Sequence, residues 1–165
     1  MNKPPKIGAR TIKTALSVFC TIIILSIFKK DSYFFACVAA MLCMQPTIED
    51  SFKIGKQRLI GTFVGALIGL LLISLITLFD TSNTIIYALT LSIGIILLIY
   101  TCTILKLNQC VNIACVTYLA IVLSVGTETW LSYSFNRIFE TLIGAIIGIL
   151  INSYILVPKK EKNVS

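Results

Sequence analysis

Residues 58–71 read R-L-I-G-T-F-V-G-A-L-I-G-L-L, and residues 137–150 read R-I-F-E-T-L-I-G-A-I-I-G-I-L. At a constant offset of 79 residues, Arg, Thr, Gly, Ala, Ile, Gly and Leu coincide. Each copy sets one cation at the mouth of a long apolar helix, a hydroxyl one turn further in, and small residues four apart beyond that. The rest of the chain is read around this pair.

The 165 residues are 57% hydrophobic and 13% charged, with a mean hydropathy of +0.95. A soluble domain of ordinary make-up is about 45–50% apolar and about 25% charged. The apolar residues also come in blocks, at about 11–28, 33–46, 59–79, 84–105, 110–126 and 138–157. A helical span needs roughly 20 residues. The expectation is an all-α polytopic membrane protein with six transmembrane helices in a single transmembrane domain over 1–165. Met1 to Phe28 has the basic start and apolar core of a signal peptide. Lys29, Lys30 and Asp31 follow it where small residues would stand before a cleavage site, so 11–28 is kept as a span.

The second block is short and ends at Pro46, followed by a polar stretch read as a loop with Glu49, Asp50, Lys53, Lys56 and Arg58. It decides the topology. If all six blocks cross with the N-terminus inside, 11 of the 14 Lys and Arg residues face the cytoplasm, and Lys29, Lys30 and Arg137 lie outside. If the second block does not cross, 5 lie inside and 9 outside. The positive-inside rule favours six spans, both termini cytoplasmic, in the cell membrane. Three spans then separate the two copies, so the halves are two inverted three-helix repeats. A-C-V at 36–38 and A-C-V at 114–116, on the middle helix of each half, are a further trace. Inverted repeats of this kind carry the site of many secondary transporters near the midplane, and paired short segments point to it.

The net charge of +7 would suggest nucleic acid on a soluble chain, but these cations lie between apolar blocks with no basic face interleaved with aromatics. Six cysteines lie in or beside apolar blocks without C-x-x-C spacing, and there is no histidine. Neither a metal site nor a disulfide framework is indicated. Without histidine there is no Ser-His or Cys-His pairing, and no phosphate-binding loop or G-x-S-x-G occurs. Neither an enzyme nor a cofactor is expected.

The candidate site residues are Arg58 with Thr62 and Arg137 with Thr141, each pair four apart on one helix face. Placed at a helix N-terminus, as expected here, an arginine fork adds to the anion-binding N–H groups and dipole. The competing reading is that both arginines reach to headgroups. Glu140 stands where the first copy has Gly61; it is either a proton-coupling carboxylate or a neutralising partner of Arg137. Gln45, beside the break at Pro46, is a binding candidate or a simple helix stop. Arg10 and Lys13 are orientation charges or attract anions to the cytoplasmic mouth. Gly61, Gly65, Gly69, Gly144 and Gly148 form small-residue ridges for helix packing, dimerisation included. Asn112 and Asn152 are read as interhelical glue, and Trp130 and Tyr133 suit an interface.

K-I-G-A-R-T-I-K-T at 6–14, M-Q-P-T at 44–47 and R-L-I-G-T-x-x-G-A-x-x-G at 58–69 resemble the aromatic acid exporter family of bacteria, over roughly residues 6–158. That family is the short branch of the fusaric-acid-resistance-like transporters and is distantly similar to plant aluminium-activated malate channels. The resemblance implies a six-helix membrane module and efflux of aromatic or other organic acid anions. Larger relatives join two such modules and the malate channels pair subunits, which implies a homodimer or higher homo-oligomer in lipid. Many members of the branch carry a helical cytoplasmic domain after the membrane part. The sequence stops at Ser165, so that domain's role is expected to be absent or supplied by another protein. A non-transporting membrane scaffold or regulatory subunit, and a passive anion channel, are the alternative readings.

Overall fold

The computed structural model describes residues 8–28, 32–78, 84–123 and 130–154. Lys29, Lys30 and Asp31, residues 79–83 and 124–129 where expected blocks meet, and both chain ends lie outside the described residues. Every described element is helical: α1 (Ala9–Ile27), α2 (Phe34–Leu42), α3 (Ile48–Leu78), α4 (Thr84–Ile104), a 3-10 turn (Asn108–Cys110), α5 (Val111–Leu123) and α6 (Trp130–Tyr154).

Four helices, α1, α3, α4 and α6, are long and apolar enough to cross a membrane. The nine residues of α2 rise about 13.5 Å at about 1.5 Å each, less than half of a hydrocarbon core of about 30 Å. The apolar run Asn108–Leu123 is also shorter than a span.

The surface is inverted relative to a water-soluble protein. Phe63, Leu67, Leu71 and Leu75 on α3, and Leu131, Phe135, Phe139, Leu142, Ile146 and Leu150 on α6, are exposed. Arg58, Thr62, Ser134, Arg137, Glu140 and Thr141 on the same two helices are buried. Large apolar side chains outside and charges inside fit a hydrocarbon solvent, in which polar groups must find partners within the protein. This is a multi-pass membrane protein.

Two helices start earlier than their hydropathy suggests. The stretch read as a loop before Arg58 forms the first turns of α3, and Trp130 to Asn136, which precede the apolar block at 138–157, form the first turns of α6. For α3 the cause is local. The Thr47 hydroxyl accepts from the Asp50 N–H at 3.1 Å and donates to Asp50 Oδ2 at 2.7 Å, a cap worth about 1 kcal/mol. Glu49 and Asp50 in the first turn are stabilised by the positive end of the helix dipole. Ser51, Gly55, Arg58, Thr62, Gly65, Ala66 and Gly69 then make one continuous buried stripe, while Phe52, Lys53 and Lys56 stay exposed. Polar residues at that spacing belong to an amphipathic helix as readily as to a loop.

The described chain forms two compact units, residues 1–55 with 143–165 and residues 56–142. In the first, α1 packs on α2 and α6 meets α2 at glycines. A Cβ on Gly144 would collide with the Ala36 carbonyl, and one on Gly148 would lie 2.6 Å from the Ala40 carbonyl. Pro46 ends α2 and leaves carbonyls to satisfy. Arg10 Nη2 donates to the Met44 carbonyl at 3.0 Å. Asn152 Nδ2 donates at 2.8 Å to both the Gln45 carbonyl and Ser51 Oγ, the interhelical role expected of it. Asn152→Leu is expected to lower stability by about 1–3 kcal/mol, read as a fall in the thermal unfolding midpoint in detergent.

In the second unit a core of Ala66, Leu72, Ile73, Leu98, Cys102, Ala114, Tyr118, Ile121 and Val122 joins α3, α4 and α5. The Tyr118 hydroxyl donates to the Leu91 carbonyl and the Tyr87 hydroxyl to the Val122 carbonyl, each at 3.1 Å. Gly94 leaves room for the Tyr118 hydroxyl. The turn after α4 carries Lys106 at φ 56, with Leu107 N–H bonded to the Cys102 carbonyl and Lys106 N–H to the Thr103 carbonyl. That is a Schellman cap with lysine in the left-handed position glycine usually takes.

Candidate functional site

Arg58, Thr62, Arg137, Glu140 and Thr141 all belong to the unit of residues 56–142. Arg58 is 7% exposed, Arg137 8% and Glu140 3%. Each arginine and the threonine four residues later share the buried stripe of their helix, so the two copies of the motif repeat in burial as well as in sequence. Thr117 on α5 and Ser134 on α6 are buried in the same unit.

The guanidinium of Arg137 is held from both sides along α6. Its Nη1 lies 3.7 Å from Glu140 Oε2. Its Nη2 donates to the Tyr133 hydroxyl, and the group sits 4.5 Å from the centre of the Tyr133 ring, within cation–π range. Tyr133 was read in the sequence only as an interface residue, although Y-x-x-x-R is the i,i+4 spacing that brings the two together. Thr117 and Ser134 carry no sequence signal of this kind.

The expected helix-terminal position of the two arginines is overturned. Arg58 stands ten residues into α3 and Arg137 seven into α6, beyond the first turn in which unpaired N–H groups and the dipole act. Any anion held here would be held by guanidinium and hydroxyl groups, not by helix ends. Burial also opposes the reading of both arginines as headgroup anchors, which requires exposed tips.

The small residues of this unit lie at close helix contacts. A Cβ on Gly61 would approach the Cys110 carbonyl at 2.9 Å, and one on Gly65 would collide with the Ala114 carbonyl. Gly69 faces Ile121 with ordinary spacing, 3.4 Å from a built Cβ. Gln45, Arg10 and Lys13 belong to the other unit. Gln45 Nε2 donates to the Leu42 carbonyl at 2.8 Å and closes the end of α2. Arg10 is exposed, whereas Lys13 is buried on α1. All six cysteines are free thiols.

A multi-pass helical membrane protein with buried arginine–threonine pairs is the class these features define. The chain belongs to the aromatic acid exporter family: residues 5–155 match aromatic acid exporter family member 1. It is 32% identical over 153 residues to a UPF0421 protein of Staphylococcus saprophyticus, covering 93% of this chain and 44% of that one. A UPF0421 protein of Oceanobacillus iheyensis is 32% identical over 158 residues, covering 96% and 43%. One from Bacillus cereus is 30% identical over 159 residues, covering 96% and 42%. The chain thus spans less than half the length of the curated relatives it matches. No solved structure matches it.

Proposed function

We propose that this chain moves aromatic or other organic acid anions out of the cell across the bacterial plasma membrane, as a homodimer of six-span subunits with both termini cytoplasmic. The observation that carries the reading is the burial of charged side chains beside hydroxyls on spanning helices. Among the described residues of the unit 56–142, two arginines and one carboxylate are buried. Intramembrane charge of this kind, beside buried hydroxyls, marks solute paths. A guanidinium offers paired donors that match a carboxylate. Membership of an exporter family supports the same direction.

Two inverted three-helix halves are part of the proposal. The glycine helix of the first half, α3, meets the carbonyl of Ala114, within the second A-C-V. The glycine helix of the second half, α6, meets the carbonyl of Ala36, within the first A-C-V. Corresponding glycines, Gly65 and Gly144, thus lie on corresponding alanines of the opposite half, the reciprocal packing a pseudo-two-fold relation produces.

Glu140 is assigned the coupling proton. In the empty site its carboxylate holds Arg137; an arriving carboxylate competes for the same guanidinium, and protonation of Glu140 releases it. In vesicles loaded with labelled benzoate, a proton gradient is expected to accelerate flux through the unmodified chain and to have no effect on Glu140→Gln. Flux through the unmodified chain that ignores the gradient would make the protein a passive channel and remove Glu140 from coupling.

A further inference from the structure

The unit of residues 1–55 and 143–165 has its own buried polar face, on α1. Lys13 is 8% exposed, and Ser17 and Thr21 are fully buried. They are spaced four apart and so share one side of the helix. Ile12, Phe19 and Ile23, on other faces of α1, are exposed. The Thr21 hydroxyl donates back to the Ser17 carbonyl at 2.7 Å and is thereby used. The Ser17 hydroxyl is buried with no hydrogen-bond partner. A buried donor of that kind is costly as it stands and favourable once an acceptor arrives.

The described residues of the unit supply no buried acceptor of opposite charge. Among its described residues the acidic ones are Glu49 and Asp50, both exposed, and Asp50 caps α3 through Thr47. Arg10, one turn before Lys13 and Thr14, is exposed and bonded to the Met44 carbonyl. Lys13 therefore places a positive charge on the buried face of α1 with no buried carboxylate among the described residues of its unit. Such a charge needs a counter-ion.

We propose that the Lys13 ammonium and the Ser17 hydroxyl form a binding site for a monoanion, a carboxylate or a halide, in this unit. The ammonium supplies charge and up to three donors, the hydroxyl one more. The site is built from this unit's own residues. It concerns binding and stands whether or not anions cross the membrane.

The test is titration calorimetry of the whole chain in detergent with benzoate and, separately, chloride. The unmodified chain is expected to show a binding event that Lys13→Met abolishes, that Ser17→Ala weakens about tenfold, and that Lys13→Arg retains. Heat from benzoate but not chloride identifies the ligand as a carboxylate, and competition between them identifies a site for either. Unchanged affinity and stoichiometry in both Lys13→Met and Ser17→Ala would overturn the proposal. Should Lys13→Met fail to fold, the Ser17→Ala titration decides, since a hydroxyl deletion removes only the unpartnered donor. Binding that survives where vesicle flux is absent would defeat the transport reading and leave this site standing.

Discussion

Arg137→Gln is expected to lower benzoate flux in reconstituted vesicles by about 30-fold or more. The estimate follows from the geometry. Arg137 is buried, and truncating one member of a buried hydrogen-bonded charge pair costs about 2–5 kcal/mol; the lower figure alone corresponds to about 30-fold. Part of that cost would fall on the protein, because the substitution leaves Glu140 buried beside a neutral group 3.7 Å from where Arg137 Nη1 stood. The double variant Arg137→Gln/Glu140→Gln separates the two effects. It is expected to recover thermal stability, since neither buried charge remains, and to stay inactive, since the guanidinium is gone. Flux restored in the double variant would make the pair a structural ion pair and remove Arg137 from the solute path.

Gly144→Ala should destabilise the chain by about 3 kcal/mol, at the upper end for an overpacked core. Alanine is the better helix former by about 1 kcal/mol, so the sign is set by space. The added carbon would meet the backbone carbonyl of Ala36, and a backbone group held in a helix cannot step aside as a side-chain tip can. Gly65→Ala meets the Ala114 carbonyl in the same way and should cost a similar amount. Gly69→Ala is the control, since its new carbon would sit 3.4 Å from Ile121 Cγ2, and it should be neutral or slightly stabilising. Thermal unfolding in detergent reads all three. A Gly144→Ala protein as stable as the parent would mean that α2 and α6 do not approach as closely as described.

The membrane class and the buried stripe were legible in the sequence because hydrocarbon leaves few choices. Apolar blocks had to be helices, and Arg58, Thr62 and Gly65 repeating as Arg137, Thr141 and Gly144 at one offset had to share a face. Helix starts were less legible. Glu49 to Lys56 reads as a loop by polarity, and only the Thr47–Asp50 cap and the buried Ser51 and Gly55 reveal a helix. That shift also changed the chemistry of the site, moving both arginines from helix ends into helix interiors. The burial of Lys13 was not legible either. A lysine near a basic chain start reads as a solvated charge, and its burial depends on α1 packing, which no local pattern encodes. Tyr133 could have been found from its spacing to Arg137, whereas Thr117 reaches the unit only through the contact of α5 with α3.

The most direct test of the account is flux of labelled benzoate from vesicles containing the chain, compared with empty vesicles and with vesicles containing the Arg58→Gln or Arg137→Gln variant. The account predicts flux above the empty control that either substitution suppresses while the protein remains inserted. Flux equal to that of empty vesicles across a panel of aromatic and aliphatic carboxylates would contradict it.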